Sequence, residues 1–164
     1  MITLERLALP DVTIACALAQ REPESQGPLV IAAHGFPDEA RTFDAQIAPL
    51  VSAGYRVLLP TLRGYLPSGV ARSGRYDCAA VAADLLALAD HWSPDAPVRL
   101  VGHDWGAIAA FAAAASSHAV LLETIASEAR NLPQDRHFVG IRDPVEVSLG
   151  QRRIGKIGVR KSLR

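Results

Sequence analysis

Hydrophobic and polar positions along this chain follow two periods. Val12, Ile14, Cys16 and Leu18 fall on every second position, the period of a half-buried strand. Residues 2–9 form a looser apolar segment, and Pro10-Asp11 between the two is a turn signal. Together they predict an N-terminal antiparallel hairpin. Leu29–Ala33 is continuously apolar, as a strand buried on both faces of a parallel sheet is, and residues 55–59 and 98–101 read the same way apart from Arg56 and Arg99. Helical stretches lie between them. Residues 43–53 put Phe43, Ile47, Leu50 and Val51 on one face, with Gly54 as C-terminal cap. Pro49 is expected to break or restart that helix. Asp77 is placed to cap the next one, where Val81, Leu85, Leu88 and Trp92 form an apolar stripe. Residues 107–117 are Ala-rich and predict a helix buried behind the strand 98–101. Residues 121–126 are apolar enough for one more strand.

This alternation predicts an α/β chain with a doubly wound, mostly parallel sheet. Residues 61–76 form a long loop holding Gly64, Pro67, Gly69 and Gly74. It leaves the C-terminal end of a strand, where such sheets bind ligands, and is expected to line a site.

Composition narrows the picture. A chain of 164 residues fits one domain, and 49% hydrophobic residues support a real core. The formal net charge is zero, which gives a nucleic-acid partner no support. The longest apolar run, residues 107–115, is far short of the roughly 20 residues that span a bilayer, so no membrane association is expected. The first residues lack the basic and apolar regions of a signal peptide. Cys16 and Cys78 read as reduced thiols of a cytoplasmic protein. No metal or organic cofactor is called for.

The chemistry concentrates at Gly102-His103-Asp104-Trp105-Gly106, between an apolar strand and the Ala-rich helix. Gly-x-nucleophile-x-Gly at such a junction is a nucleophile elbow, a strained turn that lifts one side chain out of the fold. The nucleophile here is Asp104. A carboxylate displaces a leaving group from saturated carbon and forms an alkyl ester, which suits epoxide opening or carbon–halogen cleavage. A second motif, His34-Gly35-Phe36-Pro37-Asp38, follows the strand Leu29–Ala33. Its loop is placed to supply half of an oxyanion hole through the Phe36 N–H, with the Trp105 N–H as the other half. Gly35 lets the main chain come close.

These two motifs, with Ala53-Gly54-Tyr55-Arg56-Val57 and Arg63-Gly64-Tyr65, resemble the soluble epoxide hydrolase branch of the α/β-hydrolase superfamily in order and spacing. The resemblance covers about residues 1–117. It implies the α/β-hydrolase fold, with five strands and three helices in that span and Asp104 on a sharp turn. It implies Asp104 as nucleophile, Phe36 and Trp105 as oxyanion donors and Trp105 as a pocket wall. His34, Gly35, Pro37, His103, Arg63 and Tyr65 then shape the site, with a cis peptide before Pro37 and Arg63-Gly64-Tyr65 holding its loop at one edge. The implied substrate is a small apolar electrophile, an epoxide or an organohalide. Haloalkane dehalogenases share the Asp-Trp elbow but usually carry Asn where Phe36 stands, which favours the epoxide branch.

Beyond the elbow helix the resemblance stops. The family's cap tyrosines, later acid and C-terminal histidine have no counterparts in the expected order: His118 and His137 are the later histidines, and His137 precedes Asp143. Residues 151–164 carry six Arg and Lys and no acid. The expected division is residues 1–127 as the N-terminal part of a hydrolase core and 128–164 as an atypical, poorly ordered tail. A truncated or frame-shifted reading frame, or an artificial chain end, is the expected source of that shift. Without its base, such a chain is expected to be catalytically impaired or a non-catalytic remnant. An uncovered sheet edge beyond the elbow helix predicts self-association.

Overall fold

A computed structural model describes residues 1–116 in full and three later strands as main chain. The described strands are β1 (Ile2–Ala8), β2 (Thr13–Ala19), β3 (Leu29–Ala33), β4 (Arg56–Pro60), β5 (Arg99–His103), β6 (Ile125–Ser127), β7 (Pro144–Leu149) and β8 (Arg152–Gly158). The helices are α1 (Asp44–Ser52), α2 (Cys78–Trp92) and α3 (Trp105–Ser116), with a 3-10 turn at Ala40–Phe43. Residues 1–116 thus hold the expected five strands and three helices. β7 and β8 pair with each other as a separate antiparallel ribbon. The order of the remaining tail, and His118, His137 and Asp143, lie outside the described residues.

Six strands form one mixed sheet in the order β1-β2-β4-β3-β5-β6. β1, β2 and β4 pair antiparallel, and β4, β3, β5 and β6 run parallel. The expected N-terminal hairpin is present, and β5 is covered on its outer side by β6 rather than left as the edge. Strand residues alternate between two cores. Leu29, Ile31, Ala33, Leu58 and Leu100 belong to the cluster built with α2 and α3. Ala32, Val57 and Leu59 belong to the cluster that Ile47, Leu50 and Val51 of α1 cover from the opposite side. This three-layer packing is why β3 reads as an unbroken apolar run and β4 as one after Arg56.

Local chemistry sets the helix bounds. The Asp77 carboxylate accepts the Ala80 N–H at 3.0 Å and caps α2. Its pKa is pushed down to about 2 by the Arg75 guanidinium and then by that amide. Val81, Leu85 and Leu88 are buried on the sheet, each contributing about 1.5–3 kcal/mol by leaving water. Pro49 does not break α1, which runs through it. The ring removes a single backbone hydrogen bond, and the packing of Ile47, Leu50 and Val51 offsets that loss.

The 61–76 loop is tied down by one buried cation. Arg63 is 5% exposed. Its Nε and Nη2 donate to both Asp84 oxygens at 2.7 Å, and its Nη1 donates to Asp11 Oδ2 and the Arg75 carbonyl at 2.8 Å each. These contacts join α2, the β1–β2 turn and the loop. The Asp11 carboxyl falls to about 2, held chiefly by the Ser73 hydroxyl and amide and then by Arg63. Among the described residues no helix is long and apolar enough to cross a membrane, and no cluster of three His, Cys, Asp or Glu side chains could hold a metal.

Arg63→Met leaves the buried Asp84 carboxylate without its partner. Removing one member of such a pair costs about 3–5 kcal/mol. Urea unfolding of Arg63→Met is expected to show a loss of that size, against less than about 1 kcal/mol for Arg41→Met, whose ion pair with Asp44 is exposed.

Candidate active site

The sheet reverses its winding at β3. The connection from β3 leads to β4 on one side, and the connection from β4 crosses back to β5 on the other. Loops leaving β3 and β5 therefore diverge around a crevice, the place where open α/β sheets bind ligands. The register makes the meeting specific: Ala33 stands beside Gly102, so the chain leaves both strands at the same height. His34-Gly35-Phe36 emerges on one side and His103-Asp104-Trp105 on the other.

Asp104 occupies the turn between β5 and α3 with φ +50°. Left-handed backbone is uncommon outside glycine and costs about 1–3 kcal/mol, though aspartate tolerates it better than most residues. Three glycines make the turn possible. A Cβ on Gly106 would lie 2.1 Å from the Ala33 carbonyl oxygen, and one on Gly102 would lie 2.5 Å from the Ala107 main chain. A Cβ on Gly35 would lie 2.5 Å from the Asp104 Cβ. Buried Ala107, Ala109, Ala110 and Ala113 continue the close approach of α3 to the sheet.

The Asp104 side chain is exposed and faces main-chain donors. The Phe36 N–H donates to its Oδ1 at 2.9 Å. The Asp104 carbonyl accepts the Ala107 and Ile108 N–H groups, which puts the residue at the positive end of α3. Its carboxyl titrates below the ordinary aspartate range, because the Phe36 amide and then the Trp105 amide hold the anion. Asp104 is therefore a carboxylate at neutral pH. Phe36 is 66% exposed and Trp105 50%, so two apolar side chains flank it at the surface.

His34 is buried beneath this loop. Its Nε2 accepts the Leu62 N–H at 3.1 Å, which leaves the proton on Nδ1, directed at the Gly35 carbonyl 3.0 Å away. Burial holds its pKa below the ordinary imidazole value, so the ring is neutral. Tyr65 packs edge-on against His34 with centroids 4.7 Å apart, and its hydroxyl donates to the Gly35 carbonyl at 3.4 Å. Burial, and then the charges of Asp104 and Asp38, push the Tyr65 hydroxyl upward, so it remains a donor. Of the Arg63-Gly64-Tyr65 triplet, Tyr65 reaches the site, while Arg63 holds the loop from beneath.

His103 turns to the other side of the loop after β3. Its Nδ1 lies 3.3 Å from Asp38 Oδ2 but lacks the alignment of a hydrogen bond, and that buried nitrogen has no hydrogen-bond partner. Asp38 thus stands beside the elbow, although its place in the sequence motif suggested no role. Its neighbour Pro37 follows a cis peptide bond, as expected. A groove of about 920 Å³ meets the site only through Pro37, Asp38 and Tyr65, while Asp104 itself lies on open surface.

Gly106→Ala forces a methyl group onto a main-chain carbonyl that cannot move without displacing β3. Overpacking of this kind costs about 1–3 kcal/mol or more. Chemical unfolding is expected to show at least the upper end of that range. Ile108→Ala, on the exposed side of the same helix, is expected to lose less than about 1 kcal/mol.

Comparison with known proteins places this geometry. A sequence profile of the alpha/beta hydrolase family matches residues 30–159. An epoxide hydrolase of Caballeronia sordidicola is 41% identical over 92 residues, covering 56% of this chain and 28% of that protein. Epoxide hydrolase A of Mycobacterium tuberculosis is 44% identical over 86 residues, covering 52% and 26%. The chain therefore spans about a quarter of the length of these relatives. The crystal structure of epoxide hydrolase A from Mycobacterium thermoresistibile superposes with a TM-score of 0.67 at 31% identity, covering 76% of this chain and 39% of that one. The chain belongs to the alpha/beta hydrolase family and is epoxide hydrolase-like over its N-terminal part.

Proposed function

We propose that Asp104 is the nucleophile of an epoxide-opening hydrolase site. The observation that carries this reading is the exposed Asp104 carboxylate on a left-handed turn, with Oδ1 already held by the Phe36 amide at 2.9 Å. One Asp104 oxygen attacks an epoxide carbon. The ring C–O bond breaks, the ring oxygen takes a proton from solvent water, and a hydroxyalkyl ester of Asp104 results. Water then adds to the ester carbonyl carbon. The oxyanion forms where Oδ1 already sits, opposite the Phe36 and Trp105 amides, so the donors need no rearrangement. Collapse returns the carboxylate and releases a diol.

The relatives bearing the name epoxide hydrolase support an electrophile of this class as the substrate. Exposed Phe36 and Trp105 favour an apolar one. The Phe36 side chain has no donor for a halide, which speaks against an organohalide. Both thiols are free, in keeping with a reducing, cytoplasmic setting. The second step needs a general base. Among the described residues His34 has both ring nitrogens engaged, and His103 stands apart from its Asp38 neighbour's hydrogen-bonding directions. From the described residues, the ester is expected to form faster than it is cleaved.

Incubation with an aryl epoxide is expected to add one substrate mass to the intact protein, mapped to Asp104, and Asp104→Asn is expected to stay unmodified. Diol release is expected to lag alkylation by several orders of magnitude, as when members of a catalytic unit are missing. Alkylation is expected to hold its rate as pH falls from neutral and to decline only below the ordinary aspartate value of 3.8, because the amides favour the charged form. Rapid diol release without a persistent ester would show a competent base. An unmodified parent chain would remove Asp104 from the nucleophile's role.

A further inference from the structure

β1 is the terminal strand of the six-stranded sheet. Its pairing with β2 is unbroken from Ile2 to Ala8, so no bulge twists it away. It holds no Pro or Gly, and Arg6 is its single cation. The devices that usually blunt an edge are thus nearly absent. Leu4 is 81% exposed and Ile2 57%. Both stand over the sheet face of Ala17 and Ala19, their partners on β2, and Leu4 lines the 920 Å³ groove with Ala15 and Ala17.

The hydrogen-bond phase of the edge follows from two contacts. Met1 and Gln20 exchange both N–H···O bonds, at 2.8 and 3.1 Å, and the Leu9 N–H donates to the Val12 carbonyl at 2.9 Å. Odd residues of β1 therefore bond to β2, and Ile2, Leu4, Arg6 and Ala8 point their N–H and C=O groups outward.

We propose that β1 pairs with β1 of a second copy of this chain, antiparallel about a two-fold axis at Leu4. Two-fold symmetry across a sheet edge requires one residue to face its own copy. Charge decides which one. An axis at Glu5 sets two carboxylates directly opposite each other, and an axis at Arg6 sets two guanidinium groups together, both destabilising. An axis at Leu4 places Leu4 on Leu4, Ile2 under the aliphatic stem of the second copy's Arg6, and Thr3 beside its Glu5 carboxylate. Axes nearer the N-terminus pair fewer residues. The outward groups of Ile2, Leu4 and Arg6 all find partners, and the two sheets become continuous. This interface uses the edge opposite the one expected from the sequence.

Sedimentation velocity of the 164-residue chain is expected to give the mass of a dimer. Leu4→Lys is expected to give a monomer with an unchanged far-ultraviolet spectrum, since Leu4 is exposed. In a Cys78→Ser background, Leu4→Cys is expected to oxidise to a covalent dimer. Directly paired residues lie about 5.5 Å apart at Cα, within disulfide reach. Glu5→Cys, displaced from its own copy, is expected to stay reduced. A monomeric parent chain, or an oligomer that survives Leu4→Lys, would overturn the interface. Cross-linking through Glu5→Cys in place of Leu4→Cys would overturn the register.

Discussion

The hydrogen-bonded register of β3 on β5 fixes everything that the site does. With Ala33 beside Gly102, the main chain leaves both strands at one level, and the next residues touch before the two chains part to opposite faces of the sheet. Gly35 and Gly106 are small because a methyl group at either would strike the opposite loop. The outcome is a single contact between two distant segments, the Phe36 amide on the Asp104 carboxylate. A shift of one residue in either strand would turn the Phe36 amide away and bury the elbow.

The rest of the fold holds that contact still. His34, neutral and wedged between the Leu62 amide and the Gly35 carbonyl, couples the loop after β3 to the loop after β4. Tyr65 closes the same arrangement from outside. Arg63 anchors the second loop to α2 and to the β1–β2 turn. A neutral imidazole and a fully bonded guanidinium divide the work: the first sets orientation near the charge, and the second supplies attachment away from it. An ionised group placed closer to Asp104 would alter the charge state of that carboxyl.

Much of this was legible in residue pattern. Apolar runs marked β3, β4 and β5, interrupted only by Arg56 and Arg99 at the starts of the latter two, because both faces of a parallel sheet are covered. Asp77 announced α2 because a short acceptor before an apolar stripe has one use. The elbow was legible because its geometry admits few residues: glycine on both sides and a polar one between. Other features left no local trace. Arg63 and Asp84 are buried together, yet as isolated charged residues in sequence they resemble any solvated pair. Pro49 reads as a helix breaker, and only tertiary packing decides otherwise. Asp38 gains its place beside His103 from the fold of a loop that no periodicity describes.

Two main-chain amides keep Asp104 ionised at the tip of a strained turn. A carbon-13 NMR titration of the Asp104 carboxyl group, assigned by comparison with Asp104→Asn, measures this directly. A midpoint below the ordinary aspartate value of 3.8 is expected, rising toward it when the chain is unfolded in urea. A midpoint at or above 3.8 in the folded chain would contradict it, because the Phe36 and Trp105 amides would then not be holding the anion.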